Sequence, residues 1–259
     1  MSKPWILLTP STRGISHSLL HLLLRSTPST IPILATARSS LPSIYPKSDR
    51  LHVVNLDVRD ESSIRSATEK ASKLFPRETH HLHLALTLPG VLLIPPEKSI
   101  SQVEENIVLE TLRVNTLGPV LLMKHFSPFL PKKAVKMEGD IEGLPGHATW
   151  LSVSARVGST TDNRLGGWYS YRLSKSALNS AVKNFDLELA QKSDGKAIVV
   201  GYHPGTVKTD LSRDFWKGMP DDKLFSPDDA AQKLWNVIIN LDTKQRGKVW
   251  DWKGEEVPP

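Results

Sequence analysis

Tyr171 and Lys175 lie four residues apart in Trp168-Tyr-Ser-Tyr-Arg-Leu-Ser-Lys-Ser-Ala-Leu-Asn179, at the start of an expected long helix, and so share one face of it. An isolated phenol, with a pKa of about 10, is a poor acid–base group near neutrality. An ammonium beside it favours the phenolate and lowers that value, which suits proton transfer to or from an oxygen. Lysine can in addition reach the ribose hydroxyls of a bound nucleotide. Tyr169 is the competing phenol, but the residue four positions beyond it is Leu173.

A second group of residues suits a nucleotide. An apolar run ends in Thr9-Pro-Ser-Thr-Arg13-Gly-Ile-Ser16 and leads into a helical pattern. Such a strand–turn–helix offers free backbone N–H groups and the positive helix end to a phosphate. Thr9, Ser11, Thr12, Arg13, Gly14 and Ile15 are therefore candidate cofactor-binding residues, with an ordinary turn as the alternative. Gly14 permits close backbone approach. Arg38 ends the next strand, where an acidic residue would bond a ribose 2′-hydroxyl and an arginine suits a 2′-phosphate. Arg13 and Arg38 together favour NADP(H) over NAD(H). Asp57 follows the third strand and can accept an adenine amino group; the alternative is a turn or helix-capping carboxylate.

The elements that must hold these residues alternate. Strands are expected at Trp5–Thr9, Ile31–Ala37, Leu51–Leu56, His83–Leu88, Thr149–Ser154, Lys196–Tyr202 and Val249–Trp252. Helices are expected at Ile15–Arg25, from Asp60, at Ile100–Asn106 with Thr111–Phe126, at Gly167–Ala190 and at Pro227–Asn240. Lys132–Gly146 reads as a surface loop. Strands separated by helices of this length specify βαβ units. The expected fold is α/β, a doubly wound Rossmann fold whose seven-stranded, mostly parallel sheet carries helices on both faces. Residues 1–259 read as one domain, without repeats or low-complexity linkers.

Composition narrows the chemistry. There is no cysteine, which excludes disulfides, thiolate metal sites and thiol nucleophiles, and no metal site is expected. The net charge of +6 is spread without basic runs, so a solvated surface is expected rather than nucleic-acid binding. No apolar stretch is long enough to span a membrane. The first 48 residues lack Asp and Glu and are rich in Ser, Thr and Arg, as in mitochondrial transit segments. They also read as the first βαβ unit, so a cytoplasmic location is expected, with a mitochondrial one as the alternative.

Three segments together make a resemblance. Leu151-Ser-Val-Ser-Ala-Arg-Val-Gly-Ser159, Asn163-Arg-Leu-Gly-Gly-Trp-Tyr-Ser-Tyr171 with the lysine segment, and His203-Pro-Gly-Thr-Val-Lys-Thr-Asp-Leu211 are similar to classical short-chain dehydrogenases/reductases, closest to their C-factor-like branch. The resemblance covers almost the whole chain. It implies that Tyr171 is the general acid/base and that Lys175 lowers its pKa and holds the ribose. It implies that Asn115 supports a proton-relaying water and that Ser154 donates to the substrate oxygen, with Ser159 in reserve. Arg13, Gly14 and Ile15 would lie under the pyrophosphate, Asp57 and Val58 against adenine, and Pro204, Gly205, Val207 and Thr209 beside the nicotinamide. A homo-oligomer through the two long helices is implied as well.

The chain departs from the family pattern at four places. Pro10 and Ser16 replace two of the three glycines of the first turn. Thr87-Leu-Pro-Gly90 stands where the family has Asn-Asn-Ala-Gly, so only Gly90 is kept. Ala155 takes the place of the second serine of a Ser-Ser pair, and the Thr160–Trp168 loop is longer. The expected function is NADP(H)-dependent interconversion of a carbonyl compound and an alcohol, with Leu211–Pro220 read as a lid whose Phe215, Trp216 and Met219 suit an apolar substrate; packing of these three onto the core or a partner subunit is the equal alternative. The alternative, motivated by Pro10 and Ser16, is a regulatory protein with impaired cofactor binding on the same scaffold.

Overall fold

The structure is a computed structural model that describes residues 1–39, 42–137, 139 and 141–259. In chain order the strands are β1 (Lys3–Thr9), β2 (Ile33–Ala37), β3 (Leu51–Asn55), β4 (His80–Thr87), β5 (Ala148–Val153), β6 (Ala197–His203), β7 (Thr206–Val207), β8 (Leu224–Phe225), β9 (Val249–Asp251) and β10 (Glu256–Val257). The helices are α1 (Gly14–Ser26), α2 (Glu61–Leu74), α3 (Glu105–Leu112), α4 (Gly118–Phe126), α5 (Tyr169–Ser193) and α6 (Pro227–Asn240).

The main sheet runs β10-β9-β6-β5-β4-β1-β2-β3. Seven of its strands are parallel, as expected, but an eighth is present: β10 pairs antiparallel with β9. The sequence signal missed it because a two-residue strand carries no period. The same reason hid the parallel pair β7–β8.

Alternation along β1 builds two cores at once. Trp5 and Leu7 face one side, with Leu34, Ala85 and Trp150 from neighbouring strands and Ile64, Phe126, Leu178 and Val182 from α2, α4 and α5. Ile6 and Leu8 face the other, with Leu19 and Leu23 of α1 and Leu234 and Ile238 of α6. Strands buried on both faces explain the near-continuous apolar runs.

The expected break between the two middle helices is absent. The chain is helical from Glu105 to Phe126, with a π-helical turn at Arg113–Leu117 joining α3 to α4; Ile100–Gln102 is only a short 3-10 turn. A widened turn of this kind commonly marks a functional position, and Asn115 occupies it. Lys132–Gly146 forms no helix or paired strand among the described residues; Glu138 and Asp140 of this loop lie outside them. No helix among the described residues is long and apolar enough to cross a membrane.

Strand order reverses between β1 and β4, since the chain visits β2 and β3 on one side of β1 and returns to its other side. In an open parallel sheet the crevice outside the C-terminal strand ends at such a reversal is where ligands bind.

Candidate active site

α5 brings the catalytic candidates to that crevice. One face of it carries Tyr171, Lys175 and Asn179 at successive intervals of four, with Lys175 bonded to Val153 and Asn179 to Ser154 at the end of β5. Lys175 Nζ stands 5.8 Å from the Tyr171 ring centroid and donates to the Val153 carbonyl at 3.0 Å. Gly158 makes this closeness possible. A side chain there would stand 2.8 Å from the main chain of Lys175, so the short turn Arg156–Gly158 can press directly on α5.

Asn115 is fully buried. Its Oδ1 accepts from the Val91 N–H at 2.8 Å, and its Nδ2 donates to the Val91 carbonyl at 2.9 Å and to Ser174 Oγ at 3.0 Å. A methyl group on Gly90 would stand 3.8 Å from both Asn115 Oδ1 and Lys175 Nζ, so Gly90, Asn115 and Lys175 meet at one point.

Electrostatics here run against the simple pairing expectation. Burial pushes the Tyr171 phenol up to about 12 and the Lys175 ammonium down to about 8. Removal from water disfavours both charged forms, and the ammonium, turned to a carbonyl, does not offset this for the phenol. The pair therefore holds a neutral phenol with its proton in place. Tyr171 Oη takes no hydrogen bond from the protein among the described residues, which leaves that proton for a ligand.

The serines are placed less simply. Ser154 is buried and its Oγ donates to Asn179 Oδ1 at 2.6 Å. Ser159 is tied to the Pro259 carbonyl at 3.1 Å and accepts from the Asp162 N–H at 2.9 Å. Ala155 begins the turn that carries Gly158.

The first turn divides into two halves. Thr9 and Ser11 are fully buried and spent on β2: Thr9 Oγ1 accepts from Thr36 Oγ1 at 2.7 Å, and Ser11 Oγ donates to the Thr36 carbonyl at 2.9 Å. Thr12 and Arg13 lie further out. Arg13 is extended and caps α1 without a side-chain bond, and the first N–H groups of α1 have no partner among the described residues. Gly14 has φ +55°, and a side chain there would press on Thr209 Cγ2 at 3.1 Å, so the first turn and the Pro204–Thr209 segment close on each other. Ser16, where the family has glycine, is buried with its Oγ on the Arg13 carbonyl at 3.0 Å.

Arg13 and Arg38 are exposed and neither forms an ion pair among the described residues. Arg38 lies close enough to Asp57 to help hold that carboxyl below its usual range, although the hydrogen bond from Arg59 is the main cause. Asp57 accepts from Arg59 at 2.9 Å, and the cap of α2 is Asp60 instead. Val58 packs tightly on Gly118 at the start of α4. Free helix N–H groups, a glycine cradle and two unpaired guanidinium groups fit a dinucleotide carrying an extra phosphate.

Three residues of the site were missed. Asn179 had a signal, the interval of four continued from Lys175. Trp168, in left-handed backbone at φ 54°, sets its ring 6.2 Å from that of Tyr171 and 4.8 Å from that of Phe215. Glu97, buried beside the start of α5, had no local signal.

A family model described as short chain dehydrogenase matches residues 4–220. The chain is 30% identical over 193 residues to 1-hydroxy-2-glutathionyl-2-methyl-3-butene dehydrogenase of Rhodococcus sp. (strain AD45), covering 74% of each. It is 31% identical to C-signal of Myxococcus xanthus over 160 residues, 62% of this chain and 83% of that one. Its structure is similar to that of an NADPH-bound carbonyl reductase from chicken fatty liver, with a TM-score of 0.80, 26% identity and 100% of both chains covered. With the reversal of strand order, the Tyr171–Lys175 face of α5 and a family match over most of its length, the chain belongs to the short chain dehydrogenase family.

Proposed function

We propose that the protein is an NADP(H)-dependent oxidoreductase that interconverts a carbonyl compound and an alcohol. The observation that carries this reading is the Tyr171 phenol, proton in place and without a hydrogen bond from its hydroxyl among the described residues, beside Lys175, Asn115 and Gly90 at the ligand crevice. When bound, NADP(H) supplies or accepts the hydride. Its phosphates would be held by the first N–H groups of α1 at Gly14 and Ile15, its 2′-phosphate by Arg13 and Arg38, its adenine by Asp57 and Val58, and its nicotinamide by Pro204, Gly205, Val207 and Thr209. The NADPH-bound relative from chicken fatty liver supports this choice of cofactor.

In the reducing direction Tyr171 gives its proton to the oxygen on which charge develops. With the cofactor bound, Lys175 would reach its ribose and return a proton to the phenol, and Asn115 would support the water that relays protons to the lysine. Ser154 becomes the second donor to that oxygen by turning its hydroxyl away from Asn179. Such donors act most strongly on the charge that grows in the transition state. Trp168 and Phe215 form an aromatic wall beside the phenol, which suits an apolar carbonyl compound.

Titration of NADPH fluorescence, followed by NADPH oxidation with a panel of aldehydes, ketones and quinones, tests the proposal. Binding of NADPH in preference to NADH, with turnover of at least one apolar carbonyl, is expected. Failure to bind NADPH at tens of micromolar would favour a regulatory role for this scaffold instead.

A further inference from the structure

α5 begins in an unusual way. Gly166, Gly167 and Trp168 have φ values of 63°, 66° and 54°, three consecutive residues in the left-handed region. The first two are glycines and tolerate it; Trp168 does not do so freely. Trp168 is also the N-cap, and its indole has no acceptor for the orphan N–H groups of the first turn, so no side-chain cap bond forms. Tyr171 sits in that same first turn.

Glu97, more than seventy residues earlier in the loop between β4 and α3, supplies what the cap lacks. Its carboxylate accepts from the Ser170 N–H at 3.3 Å and takes a short hydrogen bond from the Ser170 hydroxyl. Its main-chain carbonyl accepts the Trp168 N–H. The side chain is buried and meets no cation among the described residues; it is held by α5 alone. A carboxylate at the positive end of a 25-residue helix is favourably placed. Gly167 allows the approach, since a side chain there would stand 3.2 Å from the Glu97 carbonyl. On the far side, Gln102 Oε1 accepts from the Lys98 and Ser99 N–H groups at 2.7 and 3.2 Å, which fixes the loop that carries Glu97.

We propose that Glu97 is a positioning residue for the reaction: as a cap donated from another part of the fold, it holds Trp168 in its left-handed conformation and so sets both the aromatic wall and the phenol of Tyr171 against the substrate. The inference rests on the carbonyl–alcohol reading above. Glu97 itself touches neither substrate nor cofactor. A small rotation of the first turn of α5 would move Tyr171 Oη while leaving Lys175, one turn further along, bonded to Val153. Misplacement on the scale of an ångström is enough to lower a rate greatly.

The test compares Glu97→Ala, Glu97→Asp and Glu97→Gln in the full chain by three measurements: hydrogen exchange of residues 168–172, NADPH affinity, and kcat and KM for an apolar aldehyde. Alanine removes the acceptor and aspartate, one methylene shorter, withdraws it, so both should speed exchange at 168–172 and lower kcat at least about tenfold. NADPH affinity should stay within about twofold, because the phosphate contacts lie on α1. Glutamine keeps an acceptor oxygen and should restore kcat to within about threefold of the parent. Should alanine fail to fold, aspartate and glutamine still make the comparison. The proposal is overturned if exchange at 168–172 is unchanged, if kcat stays within about twofold for both alanine and aspartate, or if glutamine falls as far as alanine. If the parent reduces no carbonyl compound while exchange responds as described, the oxidoreductase reading fails, and the exchange result alone decides whether Glu97 holds the helix start.

Discussion

Particular polar groups at the two ends of the sheet are used in opposite ways. At the N-terminal ends of the strands, Arg50, His81 and His83 are spent on internal bonds. Arg50, just before β3, donates to the carbonyls of Leu23, Leu24, Thr27, Pro28 and Ile31 and to Thr27 Oγ1, and so caps the C-terminus of α1 with a guanidinium. His81 and His83 of β4 form a chain from Ser2 Oγ to the Pro145 carbonyl, with ring nitrogens 3.2 Å apart. At the C-terminal ends, by contrast, the Tyr171 hydroxyl, the first N–H groups of α1 and the guanidinium groups of Arg13 and Arg38 have no hydrogen-bond or ion-pair partner among the described residues. Bonds closed internally contribute stability; groups left open are available to a ligand. Substitutions at the two ends should therefore separate stability from activity.

The largest effect expected is at the open end. Tyr171→Phe removes the proton donor and nothing else, so kcat should fall by roughly 10²–10⁴. NADPH affinity and thermal midpoint should hardly change, as read by fluorescence titration and calorimetry. Retained turnover would remove Tyr171 from the mechanism.

Arg50→Ala probes the closed end. It strands several carbonyls at the end of α1 and should cost about 2–4 kcal/mol in denaturant unfolding, with kcat per folded molecule unchanged. A matching loss of kcat would blur the separation between the two ends.

Acid should weaken the closed end next. Burial, the largest cause, lowers both His81 and His83 to about 4. Below the ordinary histidine value the unfolded chain binds protons that the folded one refuses, so stability falls as pH drops from about 6.5 toward about 4. Between about pH 7.5 and about pH 5.5 the loss should approach about 1 kcal/mol per histidine, a fall of a few degrees in thermal midpoint. His147 and His203 are lowered by burial too, so His83→Asn should narrow this fall rather than abolish it. An unchanged pH dependence in that variant would exclude the chain from acid sensitivity.

The smallest effect is at the open arginines. Arg13→Ala and Arg38→Ala should each weaken NADPH binding by about 1 kcal/mol, with stability unchanged and NADH binding little affected. The NADPH loss should shrink at high salt. Equal losses for both cofactors would show that neither guanidinium meets the 2′-phosphate.

What the sequence determined by itself is local or periodic. The seven parallel strands, the helix α6 at Pro227–Asn240 and the Tyr171–Lys175 face of α5 were legible because apolar period and an interval of four residues are written in neighbouring positions. The glycine of the first turn was legible because a left-handed turn needs it. The tertiary structure alone decided the rest. Thr9 and Ser11 look like ligand residues in the chain, yet β2 consumes them. Ser154 reads as a donor to a substrate oxygen, and only the packing shows that Asn179 holds its hydroxyl. Glu97 carries no motif, yet it closes the start of α5. A hydrogen bond is made with whatever lies within about 3 Å, and which distant residue that is depends on how the strands and helices pack, information that no short window of sequence contains.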